Sequence, residues 1–307
     1  MKWVKIFSPA TIGNIGPGFD VLGLAVKGFG DVIEARVIDD GIVISSINPD
    51  TGISKDPKKN TAGIAASEVL KILGANGGIE LKINKGIPPG SGLGSSAASA
   101  AASAFATNYL HGNKLSKEEL ILPATKAEEA VSGDFFADNT APALLGGATL
   151  TRSCVPLDVT KIGSIDKLKI ILVTPKITVL TKDARKILPK EVPIKNFVNN
   201  MANSCLISTA FAKNDYGLFA RSLNDTVIEP VRSKLIKGFD VVKKNALAAG
   251  ADGMTISGSG PTVFAITDNA QKAQYIKTVM IETFYEQGVE SSGIVTEVDP
   301  IGTRIIK

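Results

Sequence analysis

The stretch Ile87-Pro-Pro-Gly-Ser-Gly-Leu-Gly-Ser-Ser-Ala-Ala98 governs how the rest of the chain is read. It follows a strand-like run at 79–83 and opens a segment in which seven of the ten residues 97–106 are alanine. Gly90, Gly92 and Gly94 leave backbone N–H groups unobstructed and permit left-handed backbone angles. A helix beginning just past Gly94 would add unpaired N–H groups and the positive end of its dipole. The combination predicts an anion site sized for phosphates. No acidic residue occurs from 86 to 113, and a carboxylate there would repel such a ligand.

Two familiar phosphate loops are excluded. No lysine follows Gly94, so the Walker A pattern is absent. Residues 92–97 fit G-x-G-x-x-A, but a dinucleotide fold needs a strand ending in an acidic residue next. Here the helical pattern continues to about residue 110 and another helix follows.

Outward from this loop, strands are expected at 3–7, 32–38, 42–45, 79–83, 168–173, 262–266 and 293–298. Helices are expected at 60–73, 94–110, 116–131, 195–213, 239–249 and 269–285, with Ser116 and Glu119 forming a capping box. Both halves mix strands and helices, giving an α+β protein of two domains, 1–158 and 159–307, divided within the weakly patterned stretch 153–165.

The 307 residues carry 34 Lys+Arg against 30 Asp+Glu, a net +4 with no block of like charge. Nucleic acid is therefore not an expected partner. The uncharged stretch 86–113 is too rich in Gly, Pro, Ala and Ser for a membrane helix, and no signal peptide is visible, so a cytoplasmic protein is expected. Cys154 and Cys205 form neither a disulfide framework nor a metal set. The single histidine, His111, is read as a helix-end residue before Gly112.

The loop at 88–98 resembles the ATP-binding loop of the GHMP kinases. The runs Ser8-Pro-Ala-Thr-Ile-Gly-Asn-Ile-Gly-Pro-Gly-Phe-Asp-Val-Leu-Gly23, Ser132-Gly-Asp-Phe-Phe-Ala-Asp-Asn-Thr-Ala-Pro-Ala-Leu-Leu-Gly-Gly147, Thr181-Lys-Asp-Ala-Arg185, Glu229-Pro-Val-Arg232 and Ser257-Gly-Ser-Gly-Pro-Thr262 resemble the homoserine kinase branch. The resemblance implies an N-terminal ribosomal-protein-like domain, a C-terminal ferredoxin-like domain, a homodimer, and ATP-dependent phosphorylation of the L-homoserine hydroxyl with Mg²⁺. It implies ATP contacts from Asn60 and from Pro89, Gly90, Ser91, Gly92, Leu93, Gly94, Ser95 and Ser96. Ser96 and Glu128 would hold Mg²⁺. Asn14, Asp20, Asn139, Arg185, Arg232 and Gly258 would bind substrate, and Asn139 stands where related kinases use an aspartate. Phe136 replaces a histidine common in the family.

An amide cannot take a proton at neutral pH, so two mechanisms stay open: late loss of the proton to the phosphate, which is preferred, or Asp138 as base. Another small-molecule kinase, for mevalonate or shikimate, is the alternative substrate reading.

Overall fold

The computed structural model describes residues 2–133, 135–179 and 181–307, with the side chains of residues 131 and 132 also left undescribed. In chain order the first part runs β1 (Val4–Gly13), β2 (Leu22–Ile38), β3 (Ile42–Asn48), α1 (Thr61–Leu73), β4 (Gly78–Asn84), α2 (Ser95–Leu110), α3 (Ile121–Ser132), α4 (Thr140–Leu145), β5 (Ala148–Cys154) and β6 (Leu157–Gly163). The second runs β7 (Lys169–Pro175), α5 (Thr181–Lys186), α6 (Ile194–Lys213), α7 (Tyr216–Ser222), α8 (Glu229–Arg232), a 3₁₀ turn (Ser233–Leu235), α9 (Phe239–Ala248), β8 (Gly253–Ile256), β9 (Val263–Thr267), α10 (Ala270–Glu286), β10 (Ser291–Thr296) and β11 (Arg304–Ile306).

The fold is α+β, as expected. A seven-stranded sheet has the path β11-β1-β2-β4-β3, with β5 joining β2 and β6 joining β5. All its pairs are antiparallel except β3 with β4. A four-stranded antiparallel sheet has the order β10-β7-β9-β8. The chain passes from one sheet to the other between Gly163 and Lys169, and β11 returns to pair with β1.

The alanine run explains the position of α2. Ala97, Ala98, Ala100, Ala101, Ala102, Ala104 and Ala106 are all fully buried. Small side chains let the helix approach β1, β2, α1 and α3 closely, a density that larger residues would prevent. Its polar residues are satisfied locally: Ser103 donates to the Ala62 carbonyl at 2.6 Å and Thr107 to the Ser103 carbonyl at 2.8 Å. One apolar cluster crosses both sheets, joining Ile12, Leu24 and Leu93 to Leu172, Phe211, Phe219 and Phe264. The phosphate-loop candidate is thus anchored by Leu93 in the core shared by the two halves.

The capping box forms, but not as the start of a continuous helix. Ser116 N–H donates to Glu119 Oε2 at 2.8 Å and Glu119 N–H to Ser116 Oγ at 3.3 Å, while α3 begins only at Ile121. Pro123 supplies no N–H for the Glu119 carbonyl, so the intervening turn cannot be α-helical throughout. His111 caps α2, its Nδ1 2.9 Å from the Thr107 carbonyl, and Gly112 follows at φ 103°. No helix among the described residues is long and apolar enough to cross a membrane.

Candidate active site

A cleft of about 330 Å³ runs from the 88–96 loop to the loops at 14–20 and 257–259. At its first end the loop turns through left-handed backbone at Gly90, Gly92 and Gly94. Gly94 is the N-cap of α2 at φ 66°, and among the described residues no side chain caps the helix. The first intrahelical bond is Ala98 N–H to the Gly94 carbonyl, 2.9 Å, so Ser95, Ser96 and Ala97 present N–H groups without helical partners. A Cβ on Gly94 would lie 2.0 Å from Thr11 Oγ1, so only glycine fits. The Ser91 hydroxyl lines the cleft, buried and without a partner among the described residues. These donors suit a polyphosphate.

Below the loop lies a buried ion pair. The side chains of Lys85 and Asp31 are 3% and 0% exposed and in direct contact. Lys85 also donates to the Ser95 carbonyl at 2.8 Å and to Ser99 Oγ at 2.9 Å. Asp31 accepts from Ser99 Oγ at 2.6 Å and from the N–H groups of Gly86 and Ile87 at 3.0 and 3.2 Å. Burial pulls the Lys85 pKa down, and the Asp31 carboxylate opposes it. The first turn of α2 is thereby tied to β2. Facing the cleft, the Ser96 hydroxyl donates to Glu128 Oε2 at 2.7 Å. Two hard oxygen donors meeting beside the N–H groups at the start of α2 are of the kind that could hold a magnesium ion. Among the described residues no cluster of three or more His, Cys, Asp or Glu could hold a metal alone.

At the second end the loop after β1 runs through left-handed angles at Asn14, Ile15, Gly16 and Asp20. Asn14 holds it: its Oδ1 accepts from Asp20 N–H and its Nδ2 donates to the Gly258 carbonyl, both 3.0 Å. Asp20 and Arg185 form a fork-to-fork pair with both bonds at 3.1 Å. Arg232, 3% exposed, donates to the Gly258 carbonyl at 2.9 Å and the Ala184 carbonyl at 3.4 Å. Burial lowers its pKa, with Asp20 opposing. A carboxylate and two guanidiniums on one wall can take both ends of an amino acid.

Between the two ends lie Asp138 and Asn139. Thr11 Oγ1 donates to Asn139 Oδ1 at 2.8 Å, which turns the amide Nδ2 away from Thr11. The Asp138 carboxyl is pushed up to about 7, chiefly by burial and then by the Asp20 charge, against a bond from Asn14 N–H and the Arg185 charge.

The residues expected from sequence line this one cleft, apart from Leu93, whose side chain packs in the core. Several are already occupied. Asn60 caps α1, accepting from Ala62 N–H at 2.9 Å and donating to the Ser54 carbonyl at 2.8 Å. Ser95 Oγ donates to the Ile87 carbonyl at 2.9 Å, leaving its N–H as the group aimed at a ligand. Gly258 offers its carbonyl to Asn14 and Arg232. Sequence reasoning passed over Lys85, Asp31, Thr11 and Phe19. Lys85 stands immediately before the charge-free stretch and was signalled by that edge; nothing in sequence pairs it with Asp31, 54 positions away.

Residues 60–147 match the family described as GHMP kinases N terminal domain, and residues 207–286 match GHMP kinases C terminal. A homoserine kinase of Arabidopsis thaliana is 43% identical over 313 residues, covering 99% of this chain and 84% of its own. One from Chloroherpeton thalassium is 41% identical over 319 residues, covering all of both chains. The crystal structure of homoserine kinase from Cytophaga hutchinsonii is 42% identical at a TM-score of 0.94, covering 100% of this chain and 98% of that one. The mevalonate kinase of L. major shares the fold alone, at 16% identity and a TM-score of 0.72 over 96% of each chain. Fold and cleft define an enzyme of the GHMP kinase class. Within that class the chain belongs to the homoserine kinase family.

Proposed function

We propose that the chain transfers the γ-phosphoryl group of ATP to the side-chain hydroxyl of L-homoserine, releasing ADP and O-phospho-L-homoserine. The observation that carries this reading is the placement of a cationic and carboxylate wall and an uncapped glycine-rich helix start at opposite ends of a single cleft. Phosphoryl transfer asks a protein mainly for positioning and charge stabilisation.

The N–H groups of Ser95, Ser96 and Ala97, with the neighbouring loop, hold the β- and γ-phosphates. Ser96 and Glu128 would hold Mg²⁺, which when bound neutralises charge on the phosphate oxygens. Arg232 and Arg185 take the carboxylate of homoserine while Asp20 takes its ammonium group, the fork between Asp20 and Arg185 opening to admit the substrate. Asn14 fixes the loop that carries Asp20. Asn139, aimed by Thr11, orients the hydroxyl. The proton leaves late, to the transferred phosphoryl group. A competing route, Asp138 as base, is favoured by its pKa near 7 and is tested below. Asn60, spent on its cap and on Ser54, borders the base pocket by shape.

The reading extends to a cytoplasmic homodimer. Two free thiols agree with a reducing compartment, and the exposed Ile194, Phe197, Val198 and Met201 of α6 supply an apolar face. The test is a substrate panel scored by ADP release and phosphorylated product. L-Homoserine is turned over, whereas mevalonate and shikimate give rates at least ~100-fold lower in kcat/KM; equal use of either would overturn the assignment.

A further inference from the structure

Phosphoryl transfer leaves two aromatic rings of the substrate wall unexplained. Phe19 stands immediately before Asp20, in the loop held by Asn14. Its ring centroid lies 4.9 Å from Arg232 Cζ and 5.5 Å from Arg185 Cζ. The ring centroid of Phe136 also lies near the same guanidinium, 4.8 Å from Arg185 Cζ. Phe19 thus lies within reach of both guanidiniums, and Arg185 has Phe136 as a second ring. Two guanidiniums brought to one pocket repel each other; the Arg232 pKa is lowered chiefly by burial, with a smaller contribution from Arg185. An aromatic face offers each cation negative quadrupole density without contributing a hydrogen-bond acceptor that would compete with substrate. Stacking also fixes the plane in which a guanidinium directs its N–H groups, which matters for forked recognition of a carboxylate. Phe19 is well placed for this because Asp20, left-handed at φ 59°, is pinned through its N–H to Asn14.

We propose that Phe19 is a positioning residue whose ring spaces and orients Arg185 and Arg232 so that both address one carboxylate, with Phe136 as a second ring against Arg185. The pair thereby selects an α-amino acid over an amino alcohol of the same length. This rests on the reading that the two arginines take the substrate carboxylate.

The experiment compares L-homoserine with 3-aminopropan-1-ol, which keeps the ammonium and hydroxyl groups and lacks the carboxylate. In Phe19→Leu the homoserine KM rises about 10-fold, as expected for two lost cation–π contacts. The ATP KM and the kcat/KM for 3-aminopropan-1-ol move less than about twofold, so the discrimination ratio collapses. Phe19→Tyr, which keeps the ring, restores the ratio to within about threefold of the parent. Phe136→Leu gives a smaller loss of about threefold and, being at an exposed position, serves where Phe19→Leu does not fold. Equal losses on both substrates, or an unchanged ratio in both leucine variants, would overturn the proposal. Arg232→Lys separates the underlying reading: if it leaves the ratio intact, the arginines do not bind the carboxylate, whatever the phenylalanine variants do.

Discussion

At the scale of single residues, Asp138 offers the sharpest test of mechanism. Burial holds its carboxyl near 7, against an ordinary value of 3.8. The folded chain therefore keeps a proton that the unfolded chain gives up above about pH 4. This contribution to stability is fully present at low pH and is lost as pH rises through about 7. Thermal melts should show the parent losing Tm between about pH 4 and 7 more steeply than Asp138→Asn; parallel curves would contradict the buried, protonated carboxyl. The same variant decides the base. With the proton passing to phosphate, Asp138→Asn keeps kcat within about tenfold, whereas a loss of ~10²-fold or more would identify Asp138 as the general base.

At the scale of elements, the tie between β2 and α2 through Asp31 and Lys85 holds the helix start in place. Lys85→Met keeps the length of the side chain and leaves the Asp31 charge buried without its partner. A loss of ~3–5 kcal/mol is expected in urea unfolding, and a loss under about 1 kcal/mol would show the pair to be incidental. This tie was not legible in sequence, because it is a contact between distant positions and carries no local pattern. The elements with strong periodicity were legible: α1 at Thr61–Leu73, α6 at Ile194–Lys213 and β9 at Val263–Thr267 fall within two residues of expectation. The hairpin of β5 and β6 was not, since only residues at its base are buried and its outer part alternates weakly. In the site, residue types were readable from their motifs, but their occupancy was not. Asn14 and Asn60 read as ligand-facing amides, and both spend their hydrogen bonds on backbone. Short helices such as α5 and α8 position Arg185 and Arg232, yet span less than two turns and leave no periodic signal.

At the scale of the whole molecule, the cleft exists because the phosphate loop is pressed against the second sheet's 257–262 loop. Ser257 Oγ donates to the Gly92 carbonyl at 2.6 Å, and Thr262 N–H to the Ser91 carbonyl at 3.2 Å. A Cβ on Gly92, at φ 79°, would stand 2.6 Å from the Gly260 carbonyl oxygen and 2.7 Å from that of Ser257. Gly92→Ala should therefore push the halves apart and lower kcat/KM by ~100-fold or more. Gly90→Ala, whose Cβ meets nothing within 4 Å among the described residues, should cost only backbone strain of about 1–2 kcal/mol. Comparable effects of the two would deny that the loop's fit to the second sheet matters. The account as a whole stands on one cleft gripping a triphosphate tail and a zwitterion together. Isothermal titration of L-homoserine into protein saturated with a non-hydrolysable ATP analogue tests it most directly. Saturable 1:1 binding is expected for homoserine and none for mevalonate or shikimate under the same conditions; no heat with homoserine, or equal binding of all three, would contradict the account.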